Sequence, residues 1–138
     1  MQVDATALTL VDTSAWIHFL RPDGDRRVAE RVLAALHDGR ASWCPMVRLE
    51  LWNGAGGEQE KRVLRDFEQT LPELPIDSAV WNRAMATARS CRKAGITVPN
   101  TDLLISACAT EHGAGLEHSD ADFDRIFKVL ESGEGPRG

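Results

Sequence analysis

The sequence predicts an α/β domain: a three-layer α/β/α arrangement around a central, mostly parallel sheet of four to five strands. Three observations carry that expectation. Short apolar runs alternate with longer stretches of helical periodicity in the order β-α-α-β-α-α-β-α-α-β-α-β, and strands separated by helices pair in parallel. The first two runs, 8–11 and 41–44, are largely apolar, as strands covered on both faces are. Acidic residues recur just past a strand or in the first turns of the helix that follows, at the rim where open α/β sheets bind their ligands. With 138 residues, 43% of them apolar, the chain can bury one core and is too short for two, so a single domain is expected over 1–138, with its core at about 8–130.

The first run, residues 8–11, stops at Asp12, and Thr13 and Ser14 lead into an amphipathic helix to about Leu20. An acid followed by two hydroxyl residues is also an ordinary N-cap arrangement, so Asp12 alone decides nothing. R-P-D-G-D at 21–25 is a turn, and Val28, Val32, Leu33 and Leu36 mark a helix over 26–37 that stops at Gly39. Residues 41–44 read as a second strand, and 46–52 as a short helix in which Glu50 stands among apolar neighbours. Burying that carboxylate is costly unless it is paired or holds a cation, although exposure on a helix edge is the commoner explanation.

A polar-faced helix is expected over 58–71, then P-E-L-P-I, which the two prolines restrict to a short edge strand. Asp77 or Ser78 caps a long helix to about Ala94, closed by Gly95. The helix opened by 99–102 is apolar nearly all round and therefore buried, with Asp102 in its first turn, where an acid also complements the helix dipole. Residues 115–119 form a further strand that delivers Asp120, Asp122 and Asp124 to a short helix. Val129 and Leu130 suggest a last edge strand, and the Gly-rich stretch 132–138 a flexible tail.

Composition removes several classes of function. No window approaches eighteen apolar residues and the first residues carry no basic leader, so neither membrane spanning nor secretion is expected, and a cytoplasmic location is. Cys44, Cys91 and Cys108 are odd in number and far apart, unlike a disulfide scaffold or zinc knuckle. G-A-G-G-E-Q at 54–59 lacks a dinucleotide fingerprint, and no phosphate-binding G-x-x-x-x-G-K-[ST] loop occurs. A net charge of −5 gives no footprint of strong duplex binding, although Lys61, Arg62 and Arg65, or Arg89, Arg92 and Lys93, form local basic stretches.

What remains is carboxylate chemistry. Asp12, Glu50, Asp102 and the Asp120 cluster can converge at one rim of a parallel sheet, and hard oxygen ligands without thiolate or imidazole suit Mg²⁺ or Mn²⁺. V-D-T-S-A-W-I, R-L-E-L, P-N-T-D-L-L-I-S-A and H-S-D-A-D-F-D-R-I resemble, in order and spacing, the acidic motifs of PIN-domain ribonucleases, most of all the VapC-like toxins of bacterial toxin-antitoxin pairs. The resemblance implies a PIN-like fold and a metal-dependent endoribonuclease in which Asp12, Glu50, Asp102 and Asp120 hold one or two divalent ions. Asp122 is a substitute or addition at the last position, and Thr13 or Ser14 hydrogen-bonds a ligand or a water. It further implies an RNA substrate, a cognate VapB-like antitoxin and a homodimer. Trp16, Phe19, Leu20, Leu49 and Trp52 then either line a groove for an amphipathic antitoxin segment or belong to the core.

Three rival readings follow from the same residues. Asp120, Asp122, Asp124 and Glu131 fall at calcium-loop positions, but Arg125 stands where that loop requires glycine. A phosphatase-like or receiver-like domain would use Asp12 as nucleophile or phospho-acceptor and needs a nearby lysine, from Lys61, Lys93 or Lys128. A catalytically silent interaction domain would keep the fold alone.

Overall fold

The computed structural model describes residues 8–134. The N-terminal stretch 1–7, for which the sequence suggests no role, and residues 135–138 of the expected tail lie outside it. Among the described residues three strands form the sheet, β1 Thr9–Val11, β2 Ala41–Ser42 and β3 Gly115–Glu117, in the order β2-β1-β3, all parallel. This is the expected architecture with fewer strands than the four to five expected. P-E-L-P-I contributes a single bridge, Trp43 to Glu73, held by Trp43 N–H to Pro72 O at 3.2 Å and Leu74 N–H to Trp43 O at 2.8 Å; prolines on either side prevent a longer ladder. The last expected strand is absent. Val129 ends a helix and Leu130–Glu134 closes it as a wide π turn, because Phe123, Ile126 and Val129 continue one buried helical stripe instead of alternating.

Among the described residues seven α-helices surround the sheet: α1 Thr13–Leu20, α2 Arg26–His37, α3 Pro45–Gly54, α4 Glu58–Thr70, α5 Ser78–Lys93, α6 Asn100–Glu111 and α7 Ala121–Val129. Asp12, Asp25, Asp77 and Asp120 cap α1, α2, α5 and α7 by accepting backbone N–H groups. Gly39 and Gly95, at φ +71° and +74°, stop α2 and α5 where a side chain would be strained. Helices α1 and α2 pack together, as do α5, α6 and α7, while α3 bridges α1, α4 and α6. From Asp102 to Ala109 every residue of α6 is buried, which accounts for its lack of a polar face.

The core joins Leu10, Val11, Trp16, Trp43, Val47, Leu64, Ile105, Phe123 and Ile126. Trp16 is fully buried and stacks at 4.9 Å on Phe67, so it is core and takes no part in a surface groove. Phe19 and Trp52 are half-buried against the same core, and the Trp52 indole donates to Glu68. Leu49 is exposed. The hollow on this side is lined by Leu20 of that set together with Ile17, Leu51 and Leu64, with Arg21, Glu50 and Glu60 at its edge. All three cysteines are buried.

Candidate active site

Asp12 continues the pairing of β1 by one residue, its N–H donating to Glu117 O at 2.9 Å. Its carboxylate caps α1, with Oδ2 accepting from the Ser14 N–H at 2.9 Å and the Ser14 hydroxyl at 2.6 Å. Asp12 therefore caps α1 while standing at the carboxyl end of β1. The Ser14 hydroxyl also accepts from the Ser119 N–H at 2.9 Å, tying the end of β1 to the segment that carries Asp120. Burial raises the Asp12 carboxyl above its ordinary range; the Ser14 hydrogen bonds oppose this and repulsion from Asp120 adds to it.

Asp120 caps α7, its Oδ1 accepting from the Asp122 N–H at 2.9 Å, and this bond places Asp122 in the first turn. Asp102 stands in the first turn of α6, whose N-cap position is Pro99 and offers no side-chain cap. Asp102, Asp120 and Asp122 each bring one carboxylate oxygen to within 4.8 Å of the others. Asp102 is 8% exposed, and its Oδ2 is buried without a hydrogen-bond partner among the described residues. Burial, followed by repulsion from Asp120, Asp12, Asp122 and Glu50, pushes its pKa up to about 7. A buried acceptor facing like charges lacks a positive partner, and a hard divalent cation is the partner that this donor set fits.

Glu50 lies part-way along α3, half-buried, and accepts from the Thr13 hydroxyl at 2.8 Å. Burial raises its carboxyl, Thr13 lowers it and Asp12 raises it further. Of the five expected acids, three form one cluster, while Asp12 and Glu50 stand beside it within electrostatic reach, each held by a hydroxyl of α1. Asp124 is turned to solvent, 76% exposed, and neighbours His118 Nε2 at 3.5 Å. Arg83 pairs with Glu111, and Arg125 with Asp122. That last pair was missed, although an Asp and Arg three apart on a helix is its sequence signal.

The geometry disfavours two rivals. Residues 121–129 are helix, so Asp122 and Asp124 cannot wrap a calcium ion as loop ligands. Lys61 pairs with Glu58, and among the described residues no lysine forms an ion pair with Asp12.

The family model described as PIN domain matches residues 9–128, nearly the whole described chain. The chain belongs to the PIN-domain family. Among its relatives, Ribonuclease VapC11 of Mycobacterium tuberculosis is 37% identical over 125 residues, covering 88% of this chain and 93% of that protein. Ribonuclease VapC18 of the same organism is 35% identical over 123 residues, covering 86% and 87%. A solved structure of VapBC-5 from Mycobacterium tuberculosis, a member of the VapBC family of toxin-antitoxin systems, shares the fold with a TM-score of 0.64 at 20% identity, covering 87% of this chain and 90% of that one.

Proposed function

We propose that this PIN-domain protein is a Mg²⁺- or Mn²⁺-dependent endoribonuclease, the toxin of a toxin-antitoxin pair, acting in the cytoplasm. The observation that carries the reading is the partnerless Asp102 Oδ2 among three converging carboxylates. Ribonuclease relatives above one-third identity and the shared fold with a toxin-antitoxin protein support it.

In this account Asp102, Asp120 and Asp122 hold the ion, with Asp12 and Glu50 at its border. When bound, a divalent ion activates water and neutralises charge at a phosphodiester. The chain's own residues prepare that chemistry. Asp120 fixes Asp122 through its amide, Ser14 holds Asp12 and the Ser119 backbone in register, and Thr13 holds Glu50. The raised carboxyls of Asp12 and Glu50 make either one suited to receive a proton from an attacking water or pass one to the leaving oxygen. Excess negative charge also explains why RNA, itself anionic, needs the ion in order to enter.

An antitoxin segment is proposed to cover the hollow between α1, α3 and α4, where apolar Ile17, Leu20, Leu51 and Leu64 meet Arg21, Glu50 and Glu60, a surface that suits an amphipathic segment with charged groups at its edge. A homodimer is proposed as well, and half-exposed Trp81 and Met85 on α5 supply an apolar face for it. The test is cleavage of RNA by purified protein with Mg²⁺ or Mn²⁺, with chelator, and after Asp102→Asn. Cleavage should need the metal and fall by about 100-fold or more in the variant, beyond what loss of a residue behind a ligand costs. Full metal-dependent activity in Asp102→Asn would refute the assignment.

A further inference from the structure

We infer that Arg125 is a positioning residue for Asp122, an inference that rests on the metal-dependent reading of the cluster. Among the described residues, Asp122 is the one member of the set Asp12, Glu50, Asp102, Asp120 and Asp122 with an ion-pair partner. Arg125 Nη1 lies 3.2 Å from Asp122 Oδ1 and 3.3 Å from the carbonyl oxygen of Thr97. These two acceptors belong to different parts of the fold. Asp122 is one turn back on α7, whereas Thr97 lies in the loop between α5 and α6, shortly before Asp102. A single nitrogen therefore fastens the Asp122 carboxylate to the backbone that leads into the helix of Asp102.

An i,i+3 pair with a half-exposed arginine contributes little to global stability, so stability does not account for this contact. Orientation does. Held only by its own helix, the guanidinium would fix Asp122 relative to α7; held also by Thr97, it fixes Asp122 relative to α6 and thus to Asp102. A carboxylate has two oxygens, and occupying Oδ1 leaves the other free to meet an ion. Groups that hydrogen-bond behind metal ligands orient them, and losing one weakens metal binding by about 10–100-fold.

The opposing effect is charge, since a guanidinium near a cation site repels the cation. Arg125 is 47% exposed, so water and salt screen that repulsion, whereas nothing replaces the lost orientation. The two effects have opposite signs, which makes the inference decidable. Arg125→Ala weakens metal binding if orientation dominates and tightens it if the arginine is only a counter-ion.

The experiment is Mn²⁺ binding, read from the spin-resonance signal of free Mn²⁺, for the full chain and for Arg125→Ala, Arg125→Lys, Asp122→Asn, Asp102→Asn and the double variant Asp122→Asn with Arg125→Ala. Arg125→Ala should weaken binding about tenfold. Arg125→Lys should stay weakened, because a strongly hydrated ammonium on a flexible stem does not hold two acceptors in place as a nitrogen of the rigid, planar guanidinium does. In the Asp122→Asn background, Arg125→Ala should add nothing, as expected of a residue that acts through Asp122. Unchanged or tighter binding in Arg125→Ala, or additive losses in the double variant, overturns the inference. Should Arg125→Ala fail to fold, Arg125→Gln replaces it with the same expectations. If the wild-type chain does not bind Mn²⁺, or Asp102→Asn binds as well as wild type, the metal reading itself fails and the inference with it. Wild-type binding that is lost in Asp102→Asn but untouched in Arg125→Ala overturns the inference alone.

Discussion

Asp12 and Asp102 are both buried carboxylates at the same rim, and the fold treats their charges in opposite ways. Asp12 receives the hydroxyl and amide of Ser14 on one oxygen. Asp102 has a buried oxygen with no partner and four acids raising its pKa. An acid that the protein satisfies can be structural and functional at once, since the same hydrogen bonds cap a helix and aim a carboxylate. An acid that the protein leaves unsatisfied at a stability cost implies a partner from outside.

That contrast orders the expected damage. Replacing Asp102 or Asp120 by Ala should cost the most activity, about 100-fold or more, and Asp122→Ala no more than Asp120→Ala, because Asp120 also caps α7 and fixes Asp122. Asp124→Ala should stay within about twofold, since an exposed acid outside the cluster contributes little. Cleavage rates across a Mn²⁺ titration separate these, because a lost ligand raises the metal requirement. A loss in Asp124→Ala exceeding that in Asp120→Ala would dissolve the cluster as drawn.

Smaller effects sharpen the comparison from the Asp12 side. Ser14→Ala removes one hydroxyl from Asp12 and one acceptor from the Ser119 amide, and should lower cleavage about tenfold. Thr13→Val should cost less, because Glu50 is half-buried and water can replace the lost donor. Equal losses in the two variants, measured at saturating Mn²⁺, would contradict the distinction between the buried acid and the half-buried one.

Much of this site was legible in the sequence because carboxylates at strand ends and helix starts are fixed by local pattern: the break after Val11, and the buried periodicity of α6 that begins beside Asp102. Glu50 was legible for a different reason, as an acid among apolar neighbours. Less legible was what depends on distance across the fold. Trp16 and Phe19 sit three residues apart on one short helix, yet Trp16 is core because Phe67 of α4 covers it. The last expected strand rested on Val129, which favours strand locally, and on an apolar neighbour, while the stripe from Phe123 decides in favour of helix. The contact of Arg125 with Thr97 was not legible, because nothing in the sequence brings Thr97 beside α7.

The central claim, that Asp102 is kept strained for a metal, is tested most directly by the melting temperature of wild type and Asp102→Asn, each with chelator and with Mn²⁺, from acid to mildly alkaline pH. Without metal, the folded Asp102 titrates near 7 against an ordinary 3.8, so the folded state holds a proton that the unfolded chain has released. Stability from this group therefore falls as pH rises from about 4 to about 7, and the full penalty stands above that range. Asp102→Asn should remove the penalty, melting higher than wild type at about pH 8 in chelator by roughly 1–3 kcal/mol of stability, with the gain gone near pH 4. Mn²⁺ should raise the wild-type melting temperature at pH 8 and leave the variant almost unmoved. A variant that melts below wild type in chelator at pH 8, or that gains as much from Mn²⁺ as wild type does, would contradict the account.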